Sequence, residues 1–487
     1  MNRHVEIQKL QTCVPGLDEV LGGGLPELSF NLIAGGPGGG KTTLAHQIMF
    51  ATASPERPAL YITILGEPPL KMLRYQQQYE FFDPDKVTRE VRFLHLGSEL
   101  LQYGLEVVLE RIVREVEATS PRLVFVDSFR AVVRKSLEPG QMELQSFVER
   151  LSLHLTSWEA TTFLIGEYED REAECNPIFT VADGILWLSQ VTQRNSIVRK
   201  IQVVKMRGQG SSPGLHTMKI SEHGVRVYPR LPNPDRPQLA ALAHRVRRAT
   251  GVPQLDTMLG GGIPAGYSVM IVGPSGSGKT VLSTQFIREG IVRGERGVIV
   301  VFEKRPDEYL TTAPGALRLD ELVAAGLLKM LYLRPLDLSV DETMEEISAA
   351  VKGLGATRVV IDSLMGFELA LAPSFRDEFR ESLYRMVGAL VDLGVTVLMT
   401  AELTESYTEL RFSPHGISFL TDGIILQRYA ELGGALRKML TVVKMRGIDH
   451  AKELRLYDIS QDGIVVGESL VNYDHVLVGT PRPSSAK

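Results

Sequence analysis

Two strings of one type, 238 residues apart, constrain this chain more than any other feature. Gly35-Gly36-Pro37-Gly38-Gly39-Gly40-Lys41-Thr42 returns in kind as Gly273-Pro274-Ser275-Gly276-Ser277-Gly278-Lys279-Thr280, with 273 − 35 = 238 in a chain of 487 residues. Both fit G-x-x-x-x-G-K-[ST], in which glycines let successive backbone N–H groups converge on phosphates. Each follows a short apolar run (30–34 and 267–272) and precedes an apolar helical pattern, as that loop requires. The chain reads as a tandem of two nucleotide-binding domains.

The phase holds well beyond these loops. Leu21-Gly22-Gly23-Gly24-Leu25-Pro26 returns as Leu259-Gly260-Gly261-Gly262-Ile263-Pro264, again at 238. The apolar run ending in Asp127-Ser128 returns as the run ending in Asp362-Ser363, with 362 − 127 = 235. Lys205-Met206-Arg207-Gly208 returns as Lys444-Met445-Arg446-Gly447, with 444 − 205 = 239. Periods this long mean duplication of a whole domain, since solenoid repeats run at about 20–50 residues. The domains are placed at 1–235 and 236–487, joined near 231–237, where prolines favour extended chain.

Composition narrows the class. The 53 basic and 58 acidic residues leave a net charge of −5, the wrong balance for a protein that coats itself in nucleic acid. The two cysteines, Cys13 and Cys175, make neither a disulfide framework nor a zinc spacing. No apolar run approaches the roughly 18 residues of a membrane span, and the first ten residues lack a signal-peptide core. A cytoplasmic protein is expected, without nucleic acid or membrane as partner.

Between the motifs, short Val/Ile/Leu/Phe runs alternate with amphipathic helical patterns. The runs fall at 59–65, 91–96, 123–127 and 162–166, then at 297–303, 328–333, 358–362 and 396–401. Strands apolar on both faces belong to a parallel sheet covered by helices, so the fold class is α/β, with two tandem P-loop domains. Each domain should end in antiparallel strands, at 184–190 with 197–205 and at 423–428 with 439–444.

The site chemistry follows from the motifs. Gly38, Gly39, Gly40, Lys41, Thr42 and Thr43 would hold ATP in the first domain, and Gly276, Ser277, Gly278, Lys279, Thr280 and Val281 in the second. The lysines would reach the β- and γ-phosphates, and the hydroxyls of Thr42 and Thr280 would bind Mg²⁺. Asp127 and Asp362 end apolar strands in register with both loops, as the carboxylate partner of the metal should. A further acid must orient or deprotonate the attacking oxygen. The second domain offers Glu303 at a strand end; the equivalent position, 303 − 238 = 65, is Leu65. The nearest acid there, Glu67, lies about 7 Å further along an extended strand, unless Gly66 bulges to bring it back. The sites are therefore unequal, and the second is the better candidate for catalysis. Lys205 with Arg207, and Lys444 with Arg446, alternate on strands, so each pair shares a face and could offset charge on a γ-phosphate. Glu167 and Glu402 end the next strands in register. Tyr75, Tyr79, Phe81 and Phe82 form an aromatic cluster read as helix-end packing, with stacking on a nucleotide base as the alternative.

So laid out, the chain resembles the KaiC family, double-domain RecA-like ATPases of the bacterial circadian clock, over nearly its full length. The strings that carry this are L-G-G-G-(L/I)-P before each P-loop, D-S after each second motif, D-G-I at 183–185 and 422–424, and K-M-R-G. The tail 468–481 is similar as well. The resemblance implies a homohexameric double ring with ATP and Mg²⁺ between subunits, and small KaiB-like or other signalling proteins as partners. It implies that Lys205, Met206 and Arg207, and likewise Lys444, Met445 and Arg446, contact a neighbour's nucleotide. It also implies that Glu303 is a catalytic, Mg²⁺-proximal carboxylate, and that His450 is a nucleotide contact.

Departures from the family qualify the activity. Adjacent glutamates in the family are Glu303-Lys304 and Leu65-Gly66 here, and the phosphorylated Ser-Thr pair is Ser418-Phe419, leaving Ser418 as the one acceptor. The first domain has no histidine at the family spacing after K-M-R-G; His216 comes later. The expected function is a hexameric signalling or timing hub with ATPase and slow serine autokinase activity. A DNA-dependent RecA-like motor, or a scaffold that uses ATP for assembly, are the alternatives.

Overall fold

The computed structural model describes residues 7–64, 69–139, 142–169, 176–193, 196–230, 246–312, 317–333, 338–376, 379–403, 420–470, 473–474 and 482–483. The chain divides into two compact units, Met1–Arg230 and Leu231–Lys487. Each unit holds one nine-stranded sheet.

In the first unit the strands are β1 Phe30–Gly35, β2 Ala59–Thr63, β3 Val91–His95, β4 Leu123–Asp127, β5 Thr161–Glu167, β6 Gly184–Gln193, β7 Ser196–Met206, β8 His216–Ser221 and β9 Gly224–Tyr228. Their order across the sheet is β9-β8-β7-β6-β1-β5-β4-β2-β3. The first six run parallel and the last three add antiparallel ladders. The second unit repeats this order with β10 Ser268–Gly273, β11 Gly297–Val301, β12 Leu328–Tyr332, β13 Arg358–Asp362, β14 Thr396–Glu402, β15 Gly423–Leu432, β16 Ala435–Met445, β17 Arg455–Ser460 and β18 Gly463–Ser469.

Period-two alternation divides the strand residues between two cores. Leu60, Ile62, Val124 and Val126 pack with the helices Leu105–Thr119 and Leu144–Ser157 on one face. Tyr61, Phe125, Phe163 and Ile165 pack with the helix Lys41–Thr52 on the other. Both faces are covered, so the strands read as continuous apolar runs.

The closing hairpins, β8–β9 and β17–β18, were absent from the expected strands because their residues alternate with polar ones and carry no shared motif. They cover the P-loop helices. Gln47 donates to the Val225 carbonyl at 3.1 Å and accepts from the Val225 N–H at 2.6 Å. In the second unit Gln285 accepts from the Ile464 N–H at 2.8 Å. Each hairpin thereby fixes the helix whose N-terminus carries the phosphate loop.

Candidate functional site

Each phosphate loop leaves the carboxyl end of a central parallel strand, β1 or β10, and enters a helix at Lys41 or Lys279. In such sheets ligands bind outside the carboxyl ends of the strands, here at an anion-binding helix N-terminus. Gly40 and Gly278 both have φ of 94°. A Cβ at Gly40 would lie 2.5 Å from Ile220, and one at Gly278 would lie 2.6 Å from Ile459. The positive φ is what calls for glycine; the closing hairpin also places an isoleucine on each loop at the same repeat position, 459 − 220 = 239.

The lysines fold back on their own loops. Lys41 Nζ donates to the Gly36 carbonyl at 2.7 Å, and Lys279 Nζ to the Gly273 and Pro274 carbonyls at 2.8 Å each. Burial pulls both ammonium groups below the usual lysine value, while Glu167 and Asp127, or Glu402 and Asp362, partly hold them up.

The threonines meet the strand-end aspartates as expected. Thr42 Oγ1 donates to Asp127 Oδ2 at 2.9 Å, and Thr280 Oγ1 donates to Asp362 Oδ2 at 2.8 Å. Burial raises the Asp127 carboxyl, and hydrogen bonds from Tyr61 and Thr42 with the charge of Lys41 oppose the rise. A hydroxyl and a carboxylate are hard oxygen donors that suit Mg²⁺. Among the described residues no group of three or more His, Cys, Asp or Glu could hold a metal by itself.

The first cleft has a volume of about 500 Å³ and brings together Gly38, Gly40, Lys41, Thr42, Thr43, Asp127 and Glu167. Arg199 also lines it and donates from Nε to the Gly38 carbonyl at 3.2 Å. The second cleft, about 340 Å³, gathers Gly276, Gly278, Lys279, Thr280, Val281, Glu303, Lys304, Asp362 and Glu402. Glu303 Oε1 accepts from Ser363 Oγ at 3.0 Å. Glu303 lies beyond the strand instead of ending it, since β11 pairs with β12 and β13 only as far as Val301. Gly39 and Ser277 do not line the two clefts; the Ser277 hydroxyl is buried and donates to Gln427 at 3.1 Å. Of the expected aromatic cluster only Phe81 and Phe82 pack on the core; Tyr79 lines the first cleft and Tyr75 is exposed. Glu67 and Ser418 lie outside the described residues.

A third group of expected contacts sits at the other end of each sheet. Met206 pairs with Gly184, and Met445 with Gly423, beside the first residues of β1 and β10. Lys205 Nζ donates to the Thr180 carbonyl at 2.9 Å, and Lys444 Nζ to the Thr421 carbonyl at 2.7 Å. Arg207 pairs with Asp183 at 3.1 Å and Arg446 with Asp422 at 3.6 Å. Asp183 and Asp422 in turn accept the backbone N–H groups of Phe30 and Ser268, the starts of β1 and β10, at 3.0 Å each. Burial is the main reason both lysines titrate below their usual value, with the adjacent arginine adding to it. His450 follows at the same end, where the Ala451 N–H donates to the Met258 carbonyl. The length of a six-residue strand, roughly 17 Å, separates these groups from the phosphate loop of their own domain. His216 is fully buried: its Nδ1 accepts from the Arg230 N–H at 2.8 Å, so Nε2 carries the proton given to the Ser212 carbonyl. It holds the end of the first unit and lines neither of the two clefts.

Several site residues had escaped notice. Tyr61 and Tyr309 donate their phenol protons to Asp127 Oδ2 and Asp362 Oδ2 at 2.9 and 3.0 Å. Thr400 Oγ1 donates to Asp362 Oδ1. No motif contains the tyrosines, and they occupy non-equivalent repeat positions, so only three-dimensional proximity reveals them.

Comparison with known proteins agrees with this geometry. The family model of the KaiC ATPase matches residues 10–232 and again 248–471. The circadian clock oscillator protein KaiC of Picosynechococcus sp. is 27% identical over 98% of this chain and 92% of its own. The protein of that name from Synechococcus elongatus is 26% identical over 99% and 93%, and that from Prochlorococcus marinus 27% over 98% and 96%. With two P-loop domains in register and both matched by one family model, the chain belongs to the KaiC family of ATPases.

Proposed function

We propose that this ATPase turns over ATP at sites completed by neighbouring copies of the chain, in a hexameric ring, with most phosphoryl transfer in the second domain. The observation that carries the reading is the place of the two Lys-Met-Arg triplets. Each is built into the end of the sheet remote from its own phosphate loop, where its cations can serve only a nucleotide held by another domain. A head-to-tail interface closing into a ring gives every triplet such a site.

At the second site the loop amides and helix N-terminus bind the phosphates, and Lys279 exchanges loop carbonyls for phosphate oxygens. Magnesium, when bound, neutralises phosphate charge; Thr280 and Asp362 are the groups that would hold it. Glu303 takes the proton of the attacking water as its oxygen bonds to the γ-phosphorus and the bond to ADP breaks. Lys444 and Arg446 of a neighbour offset the charge left on the transferred group. Slow transfer to Ser418 uses the same parts, with the serine hydroxyl replacing water. Lys304 in place of a second acid leaves one base for either reaction, in keeping with a two-state signalling or timing hub that small partner proteins read.

Incubation of the purified chain with γ-labelled ATP and magnesium tests this directly. ADP and free phosphate should accumulate, and intact mass should show at most a single added phosphate, absent from Ser418→Ala. A second phosphate, or one that survives that substitution, contradicts the acceptor assignment. Absence of ADP contradicts turnover.

A further inference from the structure

We propose that Tyr61 and Tyr309 are positioning residues of the two sites: each phenol locks its strand-end aspartate in the orientation that serves a divalent cation. The inference rests on the ATP and Mg²⁺ reading above and adds residues to it.

The two tyrosines reach the same atom by different routes. Tyr61 lies on β2, and its repeat equivalent, 61 + 238 = 299, is Ile299, buried in the core of the second unit. Tyr309 lies on the helix Pro306–Thr312, and its equivalent, 309 − 238 = 71, is the surface residue Lys71. Duplication alone would have placed the phenols at matching positions. Both nonetheless end on the aspartate Oδ2 that also accepts from Thr42 or Thr280. Both are buried, with 0% and 2% exposure.

The rings are held rigidly enough to orient what they touch. Tyr61 stacks on Phe125 at 5.9 Å, Phe125 stacks on Phe163 at 4.7 Å, and the buried His46 ring lies 4.5 Å from Tyr61. Tyr309 is packed in the apolar core of the second unit. Two hydroxyl donors on Oδ2 occupy that oxygen's lone pairs. The carboxylate cannot then rotate without losing a charge-assisted hydrogen bond, and Oδ1 is the oxygen that neither tyrosine engages. In the second site Thr400 steadies Oδ1 as well, whereas the equivalent first-site residue, 400 − 235 = 165, is Ile165. Asp127 therefore depends on its tyrosine more than Asp362 does.

Phenylalanine is the discriminating substitution, because it keeps the ring and removes only the donor. Mn²⁺ titration in the presence of a non-hydrolysable ATP analogue, followed by electron paramagnetic resonance, reads the metal site. Each domain is read with the other disabled, using Lys279→Ala for the first and Lys41→Ala for the second. Analogue affinity in EDTA, with no metal present, reads the rest of the pocket. Tyr61→Phe should raise the Mn²⁺ half-point about tenfold and Tyr309→Phe about threefold, from loss of one hydrogen bond to a charged group. Metal-free affinity should stay within about twofold. Unchanged half-points in both variants overturn the proposal, and so does a parallel loss of metal-free affinity, the mark of a packing role. If the parent chain binds no analogue under either condition, the ATP reading itself falls and the proposal with it.

Discussion

Glutamine in place of Glu303 is expected to lower ATP turnover at the second site by about 10²–10⁴-fold, the usual contribution of a positioned general base. Glutamine keeps the size of the side chain and its acceptor for Ser363, which donates to Glu303 at 3.0 Å, so structure and nucleotide affinity are expected to hold. Only the capacity to take a proton is lost. Room for the carboxylate is itself provided by the chain: a Cβ on Gly366 would come within 2.7 Å of Glu303 Oε1. Single-turnover hydrolysis at saturating Mg·ATP measures the effect without interference from product release. The first domain has Leu65 at the matching position, and a modest fall in total turnover on substituting Glu67 is expected. A larger loss in Glu67→Gln than in Glu303→Gln would move the dominant site to the first domain.

Removal of Glu295 destabilises the second domain by about 3–5 kcal/mol, the range for stripping one partner from a buried ion pair. Arg358 opens β13 with only 1% exposure and donates from Nε to Glu295 at 2.7 Å. Its Nη2 donates to Glu295 Oε1 at 3.3 Å, its Nη1 reaches the carbonyls of Ala249 and Phe286 at 2.6 and 2.7 Å, and its guanidinium lies 4.4 Å from the Phe286 ring centroid. Arg248 meets the other oxygen of Glu295 at 2.7 Å. Burial alone would raise the Glu295 carboxyl, but the two arginines more than offset it and hold it below the usual carboxylate range. In Glu295→Ala the Arg358 charge stays buried with carbonyls alone. Denaturant unfolding should show the second-domain transition shifted and the first-domain transition in place. A change below about 1 kcal/mol would mean that water or carbonyls already satisfy the arginine.

Much of this organisation was legible because the repeat supplies its own control. A glycine loop, a strand-end aspartate and a Lys-Met-Arg triplet recurring at offsets of 238, 235 and 239 identify positions, which isolated motifs do not. The parallel strands were found because burial on both faces makes them continuously apolar. The closing hairpins were missed for the converse reason: β8 and β17 alternate, and their contribution, an isoleucine against the loop glycine, is a matter of contact. Arg358 was an anomaly visible in the sequence, a cation opening an apolar strand where the first domain has Leu123; its partner Glu295 is 63 residues away. Tyr61 and Tyr309 broke the repeat register that made everything else readable, since 309 − 61 = 248. The triplets were placed by strand pairing at the far end of the sheet, which alternation along a strand cannot tell.

The central claim is that each site draws its phosphate loop and its triplet from different chains, and mixing two inactive variants tests it most directly. Lys279→Ala lacks the loop lysine but keeps Arg446; Arg446→Ala keeps the lysine and lacks the arginine. Each alone should show only residual turnover. Mixed in equal amounts and allowed to exchange subunits, about a quarter of second-domain sites should pair an intact Lys279 with an intact Arg446 across a head-to-tail interface. Turnover should rise above that of either variant by a matching share. A mixture no more active than its components, under conditions where parent chains assemble and exchange, would contradict the account and return the triplets to their own domains.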